Sequence, residues 1–444
     1  MKHSSKLILV LFLGFTLNLI YAFFIAPLGK HDLFVLEKRY TGIEAQTFFH
    51  HDAKDYIYIA VNLLQGKGYS YPLENPHPTA LRLPGYPLFL ALLFSLFGFK
   101  ISCALFFQCI LLTVLFFLAY ILAKHLFSEK TALFSLLVMI FLPNLKFYGC
   151  AYIGPETLAA VLLFAGIVCF LQADPHKRFW IWNSAGMCSC ISAGYCRPDF
   201  FLFFPFVCFW MMRHYQRRWF ISVCLFTALT ASFLLPWTLR NFSVFDTFVP
   251  GSTIVGRLLS GSYNPQTMQN NPGGWDNPNS TLFGIDETGK NEVEINKLHT
   301  QYAWNQIQNL SVPQAVRLVV WKAVRLWLPV QRLIRGYAGG INLKELAQSP
   351  LVLFKKPAFL FNIVLSVLFL PVYLLFGIKL IVSMRSFRKH ELIFYLFCLV
   401  NLVALIFLGS IRYRFVFEPI IIIYGCALIL DLFKRAQHKF IPSE

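Results

Sequence analysis

Ile101–Lys130 reads ISCALFFQCILLTVLFFLAYILAKHLFSEK. No charged residue stands between Ile101 and Ala123, and the run closes on Lys124, His125 and Lys130. At about 1.5 Å per residue, such a run coiled as a helix spans the roughly 30 Å of a bilayer's hydrocarbon core. Lipid offers the backbone no hydrogen-bond partners, so a helix is the form expected of it. The rest of the chain repeats the pattern. Of the 444 residues 57% are hydrophobic and 14% charged, a balance that excludes a soluble domain of this size.

The basic residues set the orientation. They gather at Lys124 to Lys130, His176 to Arg178, Arg213 to Arg218, Arg385 to His390 and Lys434 to Lys439, each between apolar runs. A net charge of +18 in short clusters of this kind is positive-inside topology rather than a nucleic-acid surface. Placing every cluster inside gives ten spans with both termini cytoplasmic. The first, residues 7–27, is too long for a signal peptide and lacks a small-residue cleavage site, so it reads as an uncleaved span. The others lie at 101–124, 131–149, 157–173, 181–196, 199–213, 219–238, 357–383, 391–409 and 416–433. Two long outer segments, 28–100 and 239–356, separate them. The apolar run Gly85 to Gly98 is short for a span, and counting it would invert the downstream clusters. It is expected as an interfacial or re-entrant helix on the outer side.

Most cysteines sit inside apolar runs, where a thiol behaves as a small hydrophobe. Cys188, Cys190 and Cys196 lack the spacing of a zinc site and read as packing.

This topology sends the remaining charges to one face. Asp52, Glu156, Arg197 with Asp199, Arg240, and Arg412 with Arg414 fall at outer ends of spans or in outer loops. Charges near hydrocarbon are costly, on the order of 2.5 to 3.5 kcal/mol each, so their clustering suggests a site, although singly each also reads as a residue snorkelling to the interface. Asp52 opens a helical pattern in which Tyr56, Ile59, Ala60, Leu63 and Leu64 form an apolar face, expected to lie against the membrane and to stop at Gly66 and Gly68. Asp52 and Asp55 also suit a helix N-cap and its acidic third position. A proline-bordered stretch then presents Arg82 just before Tyr86, and a guanidinium there suits a phosphate. Glu156 begins a span as a lone acid.

In order along the chain come Asp52-x-x-x-Tyr56-x-x-x-Ala60, Gly66-x-Gly68-Tyr69, Arg82-x-Pro84-Gly85-Tyr86-Pro87, Gly154-Pro155-Glu156, Arg197-Pro198-Asp199, Pro236-Trp237-x-x-Arg240-Asn241 and Arg412-Tyr413-Arg414. Together they resemble the bacterial branch of the GT-C glycosyltransferases, the superfamily of the protein O-mannosyltransferases and the lipid A aminoarabinose transferase. The resemblance covers nearly the whole chain. It implies an all-α polytopic GT-C-like bundle with outer juxtamembrane helices and a place in the bacterial inner membrane with the site on the periplasmic face; as a departure from the family, the soluble C-terminal domain that several relatives carry is not expected before Glu444. It implies a polyprenyl-phosphate-linked sugar donor, a lipid, glycan or protein acceptor, and inversion in a single displacement. Asp52 matches the family's catalytic aspartate, and Glu156 its second acidic position, often Asp in relatives. Arg82, with Arg240, Arg412 and Arg414, is expected to bind the donor phosphate, supported by Asp55, Tyr56, Tyr86, Arg197 and Asp199. The segment Gly251 to Leu310 is expected to close over the donor and exclude water.

The competing reading is a transporter or flippase of envelope lipids or glycans. That class places charges near the midplane and shows repeats or broken helices, whereas these spans are nearly free of charge at their centres. No cofactor is expected. His50, His51 and Asp52 are consecutive and diverge on a helix, so they offer no ready metal site. A divalent ion shared by Asp52 and Glu156 stays open.

Overall fold

The apolar run from Ile101 is one unbroken helix of 26 residues, Ile101–Leu126. In the computed structural model, which describes residues 2–26, 51–173, 178–276, 284–331 and 357–440, it is the fourth of eighteen helices. The others follow from the same pattern of apolar runs broken by proline, glycine and charge. In chain order they are α1 (Lys2–Ile20, extended by a wide turn over Tyr21–Ile25), α2 (His51–Leu64), α3 (Gly85–Phe97), α4 (Ile101–Leu126), α5 (Glu129–Met139), α6 (Pro143–Lys146), α7 (Glu156–Gln172), α8 (Phe179–Cys196) and α9 (Phe204–His214). Then come α10 (Trp219–Phe245), α11 (Val255–Ser262), α12 (Pro265–Asn270), α13 (Glu292–Gln308), α14 (Val312–Trp327), α15 (Pro357–Ser383), α16 (Phe387–Ile406), α17 (Ile411–Arg414) and α18 (Glu418–Phe440). Among the described residues the only strands are β1 (Ser70–Tyr71) and β2 (His77–Pro78), an antiparallel pair. The chain is an all-α, multi-pass membrane protein.

By length and composition, five helical stretches among the described residues are suited to crossing a membrane, or six if a bent pair is one span. One of the five, Phe361–Ile406, holds both α15 and α16 with a tight turn at Met384–Ser386, so it takes in two of the ten expected spans. Residues 131–149 are the bent pair: the helix stops at Met139, restarts at Pro143 and turns by 69°. Helix α7 has 17 residues, about 26 Å, a little short of the hydrocarbon core. The sequence at 181–196 is a helix diluted by Asn183, Ser184, Ser189 and Ser192, and 199–213 begins as a tight turn at Pro198–Phe203. The expected ten therefore rests on several segments too short, too polar or too bent to qualify alone.

Burial sorts the helices. Ile420 to Tyr424 of α18 and Leu112, Leu115 and Phe116 of α4 are fully enclosed, while α10 leaves Phe220, Leu235 and Leu239 exposed. A bundle in lipid is expected to show such apolar outer faces, because hydrocarbon is their solvent. Helices α7 and α8 pack closely where a Cβ on Gly166 would lie 2.6 Å from Cys190 Sγ. A second core joins α2, α3 and the start of α4 through Tyr56, Ile57, Tyr86, Leu90, Ile101 and Leu105.

The charges sort by end. Ile101 lies in that second core with α2, so the site end of α4 is its beginning, and Lys124 lies about 35 Å away along the helix. At the far end Lys124 pairs with Glu129 at 3.1 Å, Arg213 with Glu391 at 2.8 Å and Lys379 with Asp431 at 2.6 Å.

An ionic cluster at the mouth of the bundle

Asp52 lies in the first turn of α2. The helix ends where Gly66 and Gly68 take φ of +73° and +71°, a conformation that favours glycine. Asn62 then draws the chain back by donating 3.0 Å hydrogen bonds to the carbonyls of Ser70 and Pro72. The sequence pattern predicts an amphipathic α2 lying against the membrane, but Ile57, Ile59, Ala60 and Asn62 are all fully buried. The return loop and α3 cover the face that would have met solvent, so Asp52 rests on a packed helix. Helix α3 has 13 residues, about 20 Å, too short to cross. At its start a Cβ on Gly85 would lie 2.7 Å from the Tyr195 carbonyl carbon and 2.8 Å from the Cys196 nitrogen, so glycine lets α3 dock on the end of α8.

This frame delivers Arg82 to α2. Arg82 donates through Nε (3.1 Å) and Nη2 (2.8 Å) to Asp55 Oδ2, and Nη2 also reaches Asp52 Oδ1 at 2.5 Å. From the far end of the sequence, Arg412 donates through Nη1 to Asp52 Oδ2 and through Nε to Glu156 Oε1. Arg197 completes the chain of charges, 3.7 Å from Glu156 and bonded to both oxygens of Asp199 at 3.1 and 2.8 Å. Four carboxylates thus alternate with three guanidinium groups. Each cation also lies over a tyrosine ring: Arg82 over Tyr56 (5.2 Å), Arg412 over Tyr152 (4.9 Å) and Arg197 over Tyr413 (5.2 Å). Tyr86 supports Tyr56 edge-on, with ring centres 5.2 Å apart.

Exposure within the cluster is uneven among the described residues. The side chains of Asp52 and Arg412 are each 26% exposed, against 14% for Arg82, 8% for Arg197 and 1% for Glu156. A ligand arriving from outside therefore meets Asp52 and Arg412 first. Glu156 Oε2 is buried with no hydrogen bond among the described residues, and a Cβ on Gly154 would come within 2.3 Å of it. Among the described residues no three His, Cys, Asp or Glu side chains are grouped to hold a metal.

The two acids of α2 shift in opposite senses. Burial would raise the Asp52 carboxyl, but Arg82 and Arg412 outweigh it and hold the group well below the usual carboxylate range. Asp55 is raised, because its burial outweighs the single Arg82 and the Asp52 charge adds to the rise. Asp52 is ionised at any working pH, while its proton affinity in this state is very low.

Of the residues singled out in the sequence, Asp52, Asp55, Tyr56, Arg82, Tyr86, Glu156, Arg197, Asp199 and Arg412 meet here. Arg240 and Arg414 bond elsewhere. Arg240 donates to the carbonyls of Thr79 and Tyr69, each at 2.7 Å, and so ties the loop before Arg82 to α10. Glu292 fastens the same loop by accepting from Thr79 and Thr253. Arg414 is fully buried, pairing with Glu418 at 3.0 Å and donating to the carbonyls of Leu326 and Leu328 at 2.8 and 2.9 Å. Tyr152 and Tyr413 are not among the residues the sequence singles out, although Tyr413 lies between Arg412 and Arg414 and Tyr152 stands four residues before Glu156. Within the segment expected to close over the site, Tyr263 donates to the carbonyls of Leu405 and Ile406 at 3.1 and 2.9 Å, and residues 277–283 lie outside the described residues.

The family model for dolichyl-phosphate-mannose-protein mannosyltransferase matches residues 76–238, which include Arg82, Glu156, Arg197 and Asp199. Among solved structures, the oligosaccharyltransferase AglB from Archaeoglobus fulgidus, in complex with an inhibitory peptide and a dolichol-phosphate, is similar at a TM-score of 0.55 and 12% identity. That match covers 100% of this chain and 52% of the other. The apo form of the Archaeoglobus fulgidus oligosaccharyltransferase matches at a TM-score of 0.53 and 11% identity, over 99% of this chain and 52% of that one. The chain therefore spans about half the length of these enzymes. No curated protein is a significant sequence match. The fold is the GT-C fold, as the resemblance implied.

Proposed function

We propose that this chain, which has the GT-C fold, is a membrane glycosyltransferase that moves a sugar from a polyprenyl-phosphate donor to an acceptor hydroxyl. The observation that carries the reading is the alternation of Asp52, Arg412 and Glu156, in which Asp52 and Arg412 are the most exposed members of the charge cluster among the described residues. A carboxylate beside arginines suits a reaction in which a hydroxyl loses its proton while a phosphate leaves. The mannosyltransferase model and the dolichol-phosphate held by the archaeal enzyme of the same fold support a lipid-linked donor.

In this reading the acceptor oxygen attacks the anomeric carbon, and Asp52 takes the hydroxyl proton. The bond from the anomeric carbon to the phosphate oxygen breaks, its electrons go to the phosphate, and configuration inverts. General-base assistance of this kind is worth about 10² to 10⁴ in rate. Arg412 and Arg82 stabilise the charge on the leaving phosphate. Tyr56, Tyr86 and Tyr152 hold those arginines in place, and Arg197 with Asp199 fixes Glu156. The isoprenoid lies in lipid beside the bundle, and the site faces the periplasm in a bacterial inner membrane. Arg240 serves by holding the Arg82 loop. Arg414 serves by fixing the turn that carries Arg412.

Purified protein in nanodiscs, given a defined polyprenyl-phosphate sugar and candidate lipid, glycan or peptide acceptors, is expected to form a glycosidic bond of inverted anomeric configuration, read by NMR. Counterflow of the donor across liposomes with no new bond would instead mark a transporter.

A further inference from the structure

The ligand-free cluster poses a difficulty for its own chemistry. Both oxygens of Asp52 accept from arginine, one from Arg82 and one from Arg412, and two adjacent positive charges make a carboxylate a weak base. The same arginines are the groups expected to meet a phosphate, and they are already paired. Resting on the donor assignment above, we propose that Arg412 is exchanged on donor binding: it leaves Asp52 and Glu156 for the donor phosphate, and Asp52 becomes an effective base only when the donor is seated.

The geometry distinguishes Arg412 from its neighbours. Arg197 is held by both oxygens of Asp199 and is nearly buried. Arg82 makes two bonds to Asp55 besides the one to Asp52, and is less exposed than Arg412. Arg412 gives a single bond to each of two acids, its Nη2 makes no hydrogen bond among the described residues, and it is the most exposed of the three. Its backbone is fixed, because Arg414 two residues on is locked to Glu418 and to the carbonyls of Leu326 and Leu328. Movement is thereby confined to the side chain, which pivots beside Tyr152.

The exchange leaves no acid bare. Asp52 keeps Arg82, and Glu156 keeps Arg197 at 3.7 Å. Asp52 passes from two cations to one, so its proton affinity rises at the moment a hydroxyl is to be deprotonated. The phosphate gains a guanidinium with a fork of donors matched to its oxygens. A site without donor would hold a weak base, which limits activation of water or acceptor in the donor's absence.

Competition of this kind has a signature that a simple catalytic base lacks. The acids compete with the phosphate for Arg412, so neutralising an acid must tighten phosphate binding, by reciprocal linkage. Binding of polyprenyl phosphate, which carries no sugar, is measured by native mass spectrometry in nanodiscs for wild type, Asp52→Asn, Glu156→Gln and Arg412→Gln. Neutral polyprenol is the control. We expect Asp52→Asn to bind polyprenyl phosphate roughly fivefold or more tightly than wild type, a coupling of ordinary size. Glu156→Gln is expected to follow it, Arg412→Gln to bind more weakly, and polyprenol binding to stay level. Asp52 is partly exposed, so its variant carries the test even if Glu156→Gln does not fold. Unchanged or weaker binding by Asp52→Asn overturns the exchange, as does a gain that polyprenol shares. Failure of every protein, wild type included, to prefer polyprenyl phosphate over polyprenol overturns the donor assignment and the exchange with it.

Discussion

The Arg412 guanidinium donates to the Asp52 carboxylate although 360 positions separate the two in the chain. Asp52 is set by a short packed helix near the start and Arg412 by a four-residue helix near the end. Their meeting brings the first and last thirds of the bundle to one point, and the chemistry proposed for the chain depends on it.

Two residues apart, Arg412 and Arg414 are expected to fail differently. Arg414→Gln leaves Glu418 uncompensated in a fully buried setting, which costs about 3 to 5 kcal/mol. Thermal unfolding in detergent should show a large loss for Arg414→Gln, partly restored by adding Glu418→Gln. Arg412→Gln, at a partly exposed position, should unfold near the wild-type temperature yet lose transfer by about 10² to 10³. Equal melting losses for the two single variants would contradict the division of roles.

The lowered Asp52 group has a direct consequence for stability against pH. A carboxyl whose folded value lies below the unfolded value of about 3.9 adds stability that is complete at neutral pH and is lost as pH falls through the folded value. The difference in melting temperature between wild type and Asp52→Asn should therefore stay constant from about pH 7 to 5 and narrow below about pH 4. A difference that narrows already near neutrality would mean that Arg82 and Arg412 do not hold the group down.

The kinetics should carry the same signature. In kcat/KM for the donor, which reports the free enzyme, the acid limb of Asp52 should lie at lower pH than in kcat, which reports the donor-bound state. Coincident limbs would show that donor binding leaves Asp52 unchanged.

Gly85 is a packing prediction independent of the charges. In Gly85→Ala the added methyl meets the Tyr195 and Cys196 backbone at 2.7 and 2.8 Å, which side-chain motion cannot relieve. Overpacking of this kind costs about 1 to 3 kcal/mol, so a lower melting temperature is expected. Because α3 leads directly from Arg82, donor affinity should fall as well. An unchanged melting temperature would show that α3 is not seated on α8.

Much of this was legible in the chain. Apolar runs gave the helices, and of the charges that topology sends to the outer face Asp52, Glu156, Arg197, Asp199 and Arg412 meet, joined by Arg82 from the proline-bordered stretch, while Arg240 and Arg414 bond elsewhere. Pairing was not legible, because bonds between residues hundreds of positions apart leave no local pattern. Arg414 is instructive: on a helix, residues two apart point to opposite faces, so Arg412 and Arg414 could not both face the site. That signal was present in Arg412-Tyr413-Arg414 and separates the surface arginine from the buried one. The full burial of α2 was hidden for a different reason, since the cover comes from the return loop and from α3 rather than from the helix's own sequence.

The central claim is that Asp52 drives glycosyl transfer. Its most direct test follows release of free polyprenyl phosphate, together with formation of the glycosidic bond, from a defined polyprenyl-phosphate sugar by purified wild type and Asp52→Asn at matched folded concentrations. The account predicts stoichiometric release and bond formation by wild type, and a loss of about 10² or more in the variant despite its tighter hold on polyprenyl phosphate. Equal turnover by the two proteins would contradict it.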